Sequence, residues 1–441
     1  MIAKLIAPLR KLQGDARKGV VSVGWMGISQ FCGLIFRLGS NLILTRLLAP
    51  EAFGVLGTAL AFMTTLEWLS DMGVTPALIR HPKGAEKEYL STGWWITLMR
   101  GVGLTAVAAA CAWPAALFYE EPQLFGVLSV LALRPLLMGL RSPRMPMLRR
   151  ELNYRAIFFD EIAMTAGGTL TSIYLAFIFP SVWAIVGGTI AGALIGIVIS
   201  YILCPMRPGQ YTAAASRDIC GFGRQILVNT LVMALWLNLD RLLGLKLISA
   251  ADLGLYTIAW NLSAVAEGIV TRACDVHFSM LSRLEGEEEQ MKSHEEVAAK
   301  VTTWLMPCFA LVACLAPFAV WTLYDDRYSG AGILLAILIC RLMIRGYGQL
   351  QFQLLMARSH VSVATVSYGV ALVAHIAMIK PLTAHAGVLG LALSSMFSTI
   401  AMTVTQAALT GDRLQTRLSP VSATLAWMVV GITSACLVAT L

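Results

Sequence analysis

Apolar residues run in blocks of about twenty along most of the chain, divided by short stretches rich in proline, glycine and charge; one such block is what a helix needs to cross a bilayer. The pattern predicts spans over 19–45, 53–79, 92–113, 123–140, 156–179, 182–203, 221–247, 253–279, 300–323, 330–356, 361–379, 385–409 and 419–440, the last being the most dispensable. Ahead of them, Lys4, Pro8, Arg10 and Lys11 interrupt the apolar residues, so no secretory signal is read there. Ile2, Leu5, Ile6, Leu9 and Leu12 recur at helical spacing opposite the basic residues, as in a short helix lying among anionic headgroups.

A shift of about 200 residues lays "TRLLAPEAFGVLGTALAFMTTLEWL" (45–69) on "LKLISAADLGLYTIAWNLSAVAEGI" (245–269), so that Arg46 meets Lys246, Gly54 meets Gly254 and Glu67 meets Glu267. The expected architecture is an all-α polytopic membrane protein of twelve to fourteen transmembrane helices. It has an amphipathic segment 1–18, a six-helix lobe 19–203, a cytoplasmic linker 204–220, a second six-helix lobe 221–409 and an extra helix in 419–441. Six crossings per repeat insert both copies the same way up, which puts a pseudo-twofold axis along the membrane normal and a substrate cleft between the lobes.

Composition removes the soluble alternative: the chain is 57% hydrophobic and 13% charged, against roughly 45–50% and about 25% in globular proteins. Its nine cysteines and six histidines are dispersed with no metal-ligand spacing, and no nucleophile constellation is legible, so neither a cofactor nor an enzyme is expected. Charge orients the spans. With the N-terminus cytoplasmic, inner segments hold twenty-two Lys and Arg and outer loops four, the asymmetry of the positive-inside rule. The inner set includes the run "RSPRMPMLRRELNYR" (141–155), from which Arg149, Arg150 and Arg155 are candidates for a cytoplasmic entrance; the plainer reading is a topology signal touching anionic lipid.

Apart from Arg224, Lys246 and Lys300 at span ends, fourteen charged residues fall inside the expected spans, and each costs roughly 2.5–3.5 kcal/mol against lipid at mid-bilayer, so most need a partner, water or an interfacial depth. Glu67 and Asp71 stand one helical turn apart, as do Glu267, Thr271 and Asp275; Arg37 and Asn41 share the first span, and Asp240 and Arg241 sit at the matching point of the seventh. Arg37, Asn41, Glu67, Asp71, Asp240, Arg241, Glu267, Arg272 and Arg345 form the candidate substrate site, with guanidinium forks suited to phosphate oxygens. The alternative is intra-lobe salt bridging of Arg37 with Glu67 or Asp71, and of Arg241 or Arg272 with Glu267. Arg100 and Arg134 lie nearer helix ends and are expected to snorkel, while Arg341 and Arg345 share one face of the tenth span and are open to either role. Gly188, Gly192 and Gly196, at every fourth position, predict close helix packing.

"TRLLAPEAFGVLGTA", "LSDMGVTPALIR", "LRRELNYRAI", "NLDRLLGLKLISAADLGLYTIAW" and "YDDRYSGAGILL" together resemble the polysaccharide flippases of the multidrug/oligosaccharidyl-lipid/polysaccharide superfamily, the Wzx-type exporters. The stretch 148–155 resembles the "LLRRELDFR" segment of the exopolysaccharide branch; "DVHFSMLSRLEG" departs from relatives that carry a proline there. The resemblance implies a bacterial inner-membrane flippase that carries an undecaprenyl-pyrophosphate-linked oligosaccharide outward by alternating access, for exopolysaccharide, O-antigen or lipopolysaccharide export. It implies membrane lipids, a polysaccharide polymerase and glycosyltransferases as partners, no nucleic acid, and coupling to H+ or Na+ as an open option. Rival readings are a cation-coupled multidrug antiporter of the same superfamily and, in another class, a membrane-embedded glycan polymerase or ligase.

Overall fold

A computed structural model describes residues 15–70, 73–220, 227–281, 284, 286–358 and 361–414, and every regular element among them is helical. Segment 1–14, Asp71 and the expected span 419–440 lie outside the described residues. Among the described residues, eleven helical stretches are long and apolar enough to cross a membrane. Their polarity is inverted: Phe31, Trp113, Phe177 and Trp304 are exposed, while Ser394, Ser395, Ser398, Thr399, Thr403 and Gln406 are buried. Lipid as the surrounding solvent accounts for that inversion.

The chain forms two compact units. The first, Met1–Leu48 with Leu66–Leu227, holds α1 (Asp15–Leu47), the last turn of α2 (Pro50–Leu69), α3 (Val74–Arg80), α4 (Lys87–Tyr119), α5 (Pro122–Leu131), α6 (Leu133–Gly139), α7 (Met145–Arg150), α8 (Tyr154–Ile178), α9 (Val182–Leu203) and α10 (Ala213–Cys220). Two expected spans are broken here. Span 53–79 stops at Leu69, and Gly73 turns the chain at φ 64°, a left-handed conformation glycine adopts without strain, before α3 begins. Span 123–140 is two helices meeting at Ala132, because Pro135 has no N–H to bond the carbonyl one turn back.

The second unit, Ala49–Thr65 with Val228–Leu441, holds most of α2, then α11 (Leu227–Leu247), α12 (Ala250–Leu281), α13 (Glu287–Lys300), α14 (Met306–Leu323), α15 (Ala331–Ala357) and α16 (Val361–Leu414). At 54 residues α16 is far longer than a bilayer needs, and Gly387 breaks it at φ 54°, ψ −133°. A Cβ on Gly390 would lie 2.0 Å from the carbonyl oxygen of Leu382; in an unbroken helix residues eight apart are roughly 12 Å apart along the axis. The chain therefore doubles back, and α16 supplies the two spans expected at 361–379 and 385–409. Within this unit α2 and α12 touch reciprocally: a Cβ on Gly54 would meet the carbonyl of Ala250 at 2.0 Å, and one on Gly254 that of Pro50 at 1.9 Å. Each contact is the other displaced by the 200-residue repeat.

Candidate functional site

In the first unit the charges gather at the end of α2. Arg134 on α6 donates to Glu67 at 2.7 Å; Arg100 on α4 donates to Ser70 at 2.9 Å and to the carbonyl of Glu67. Glu67, Arg100, Arg134 and Thr97 line a cavity of about 170 Å³. Arg134 and Met138 also line a second cavity of about 290 Å³, whose wall carries Ser40, Thr165, Thr169, Ser172 and Thr189. Its far side is built from Gly168, Gly188 and Gly192, where α8 and α9 approach so closely that a Cβ on Gly192 would stand 2.9 Å from the carbonyl of Met164. The four-residue glycine spacing thus marks packing, as expected, and that packing brings a row of hydroxyls beside a guanidinium.

Arg37, on α1, is exposed, and its guanidinium has no hydrogen bond or ion pair among the described residues. One turn on, the side-chain oxygen of Asn41 is buried with no partner among the described residues. Two further acidic groups within the spans of this unit are engaged: Arg141 pairs with Asp160, and Ser29 donates to Glu161 at 2.5 Å. Of the three entrance candidates, Arg149 is exposed, Arg150 donates to the carbonyls of His81 at 2.9 Å and Pro82 at 3.4 Å, and Arg155 lies over the Phe159 ring at 5.9 Å.

The second unit has its own cluster, in which Asp240 on α11 is 1% exposed. It accepts from the Tyr256 hydroxyl and, at 2.9 Å, from the backbone N–H of Arg241. The Arg241 guanidinium donates to Asn238 at 2.6 Å and lies 4.5 Å from the centre of the Trp260 ring. Arg341 on α15, 5% exposed, lies 4.7 Å from the same ring and 5.9 Å from that of Trp236, and donates to Thr399 at 3.1 Å. Two cations on one indole are stabilised by its negative face, by about 2 kcal/mol each where water is excluded. One turn along α15, Arg345 pairs with Glu267. Arg272 is half-buried with no hydrogen bond or ion pair among the described residues.

Several expectations change. Glu67 is answered by Arg134, not Arg37, and Glu267 by Arg345, not Arg241 or Arg272. Arg100 and Arg134, expected to snorkel, donate to the carbonyl and the carboxylate of Glu67 respectively. Arg341, Trp236, Tyr256 and Trp260 belong to the second cluster and were absent from the candidate set. Their signal is a matched spacing, since Tyr256 and Trp260, like Arg341 and Arg345, are i and i+4 on one helix face. In both units a carboxylate on the second helix of the repeat pairs with an arginine on the fourth.

The profile of the family described as "Polysaccharide biosynthesis protein" matches residues 43–333. The chain is 24% identical over 337 residues to the succinoglycan biosynthesis transport protein ExoT of Rhizobium meliloti, covering 74% of this chain and 66% of that relative. It is 20% identical over 355 residues to the lipopolysaccharide biosynthesis protein WzxC of Escherichia coli, covering 79% and 71%. Among solved structures it is similar to the lipid II flippase MurJ in an inward closed conformation, with TM-score 0.72, 11% identity and coverage of 96% and 97%. It is similar also to an inward-facing multidrug resistance MATE transporter of the MOP superfamily, with TM-score 0.72, 12% identity and coverage of 86% and 94%. These likenesses give the fold.

Proposed function

The chain belongs to the polysaccharide biosynthesis protein family, a multi-pass membrane transporter and not an enzyme, and from that premise we propose that it turns a diphosphate-linked oligosaccharide on a polyprenyl lipid from the inner to the outer leaflet of a bacterial inner membrane by alternating access. The observation that carries this is the balance of charge in a cavity of the first unit: among the described residues of its lining two guanidiniums, Arg100 and Arg134, stand against one carboxylate, Glu67, next to a wall of five hydroxyls. Guanidinium forks match phosphate oxygens, and hydroxyls match sugar hydroxyls. A cavity of about 290 Å³ is near the lower end of ligand pockets, roughly 300–1,000 Å³, so it suits part of a headgroup with the rest outside it. A cavity for cationic drugs would favour the opposite sign.

Arg37 supports the reading differently. A guanidinium exposed inside a membrane span costs several kcal/mol against lipid, which favours a hydrated surface on that side of α1, open to an anion. The test is export in cells. Arg37→Ala should abolish surface glycan while the protein stays in the membrane at its normal level, and lipid-linked repeat units should accumulate on the inner leaflet. Unimpaired export would remove Arg37 from the site; intact glycan with new drug sensitivity in a deletion strain would favour the antiporter.

A further inference from the structure

We infer that the end of the first unit carrying its basic loops holds a phosphate-binding site formed by Lys87, Arg144 and Arg207, separate from the arginines inside the spans. The three line a cavity of about 480 Å³ whose acidic lining is Glu151 alone among the described residues. All three cations are exposed, so the cavity is open to water, and its base is firm: Leu90 and Met147 are buried and belong to the packed core beneath.

The cations come from three different elements, and each is held in place. Lys87 opens α4, whose N-cap residue Glu86 makes no side-chain cap, so the positive end of that helix adds to the field. Arg144 precedes α7, and the neighbouring Ser142 is tied to α9, its N–H donating to Ser200 at 3.0 Å and its hydroxyl to the carbonyl of Cys204. Arg207 lies on the segment after α9, which is strapped to α4: Trp95 donates to the carbonyl of Gly209 at 2.9 Å, while Ser91 accepts from the N–H of Gly209 at 2.9 Å and Thr92 from that of Thr212 at 3.1 Å. Segment 204–212, which reads as a linker, is thus a structural part of the site. Glu151 pairs loosely with Arg144, at 3.5 Å, and leaves the lining with an excess of two positive charges. Three convergent cations around an open pocket suit the several oxygens of a phosphate or diphosphate. Its source is either a polyprenyl diphosphate or the headgroup of an anionic glycerophospholipid. The site's chemistry does not depend on the proposed function.

Calorimetric titration of the purified full chain in neutral detergent with inorganic pyrophosphate tests it. Lys87→Gln/Arg144→Gln/Arg207→Gln should weaken binding at least tenfold, Glu151→Gln should tighten it several-fold, and Arg217→Gln, an exposed cation on α10, should leave it unchanged. Should the triple variant fail to fold, Glu151→Gln still decides. Competition then identifies the source. Displacement of pyrophosphate by polyprenyl diphosphate well below the concentration of phosphatidylglycerol required points to the carrier lipid; equal displacement by both points to the bulk headgroup. Equal pyrophosphate affinity in wild type and triple variant, no tightening with Glu151→Gln, or failure of both lipids to displace the probe overturns the inference. A chain that binds pyrophosphate here but exports no glycan would sink the proposed function and leave this site standing.

Discussion

Arg134 serves two chemistries, since it pairs with Glu67 at 2.7 Å and stands on the wall of a hydroxyl-lined cavity. Lysine separates them. Arg134→Lys keeps the charge beside Glu67 but gives up the planar fork. If the guanidinium also binds diphosphate oxygens, thermal stability should change by less than about 1 kcal/mol while the substrate concentration for half-maximal flipping rises roughly tenfold, the worth of one charge-assisted hydrogen bond. An unchanged half-maximal concentration would reduce Arg134 to a salt-bridge partner. In the second unit Trp260 is the equivalent pivot, with two guanidiniums within 4.7 Å of its ring. Trp260 is half-buried, so Trp260→Ala removes mainly that stabilisation and the unfolding midpoint in detergent should fall by an amount equivalent to about 1–3 kcal/mol, with Trp260→Phe recovering part of it. Equal midpoints for the Ala and Phe variants would mean that neither the volume nor the aromatic face of the ring supplies the stability.

At the scale of elements, the reciprocal contact of α2 with α12 makes a prediction about coupling. A methyl at Gly54 or Gly254 would stand about 2 Å from a backbone carbonyl, so either Gly→Ala change forces the helices apart and should cost about 1–3 kcal/mol. Once they have parted, the second methyl finds room, and the double variant should cost clearly less than the two singles added; additivity would mean that the two contacts are independent. Gly33→Ala, with nothing within 4 Å, is the control. The equivalence of Gly54 and Gly254 was legible in the sequence, because a repeat survives in the residues that helix contact constrains. Most spans were legible as well, since twenty apolar residues have few other fates in lipid. The breaks at Gly73 and Ala132 were not: glycine and proline in an apolar run are compatible with a kink or a stop, and neighbouring helices decide between them. The same limit applied to the charges. Spacing on one helix put Glu67 and Glu267 on polar faces, but the arginines that answer them are 67 and 78 residues further along, on helices whose rotation no local pattern reveals. The Trp260 cluster escaped notice because tryptophan in an apolar run reads as lipid-facing until a cation is placed over it.

For the whole molecule the sign of the transported charge is the deciding quantity, and the membrane potential measures it. Moving one elementary charge through 100 mV is worth about 2.3 kcal/mol, roughly a fiftyfold change in an equilibrium ratio. In vesicles holding the purified chain and a fluorescent polyprenyl-diphosphate glycan, with the potential clamped by a potassium gradient and valinomycin, the headgroup should accumulate in the leaflet facing the positive side. Reversing the gradient should reverse the accumulation. Arg37→Ala should slow the approach to that distribution without altering its end point, because a site residue changes the barrier whereas the potential fixes the equilibrium. A distribution indifferent to potential would require cations balancing both diphosphate charges to accompany each headgroup, making transport electroneutral; titrating external H+ and Na+ separately would then identify the ion. Accumulation on the negative side would mean that the headgroup crosses with more positive charge than it carries negative, whereas no redistribution of the glycan lipid under any gradient would remove it as the cargo and favour the multidrug branch.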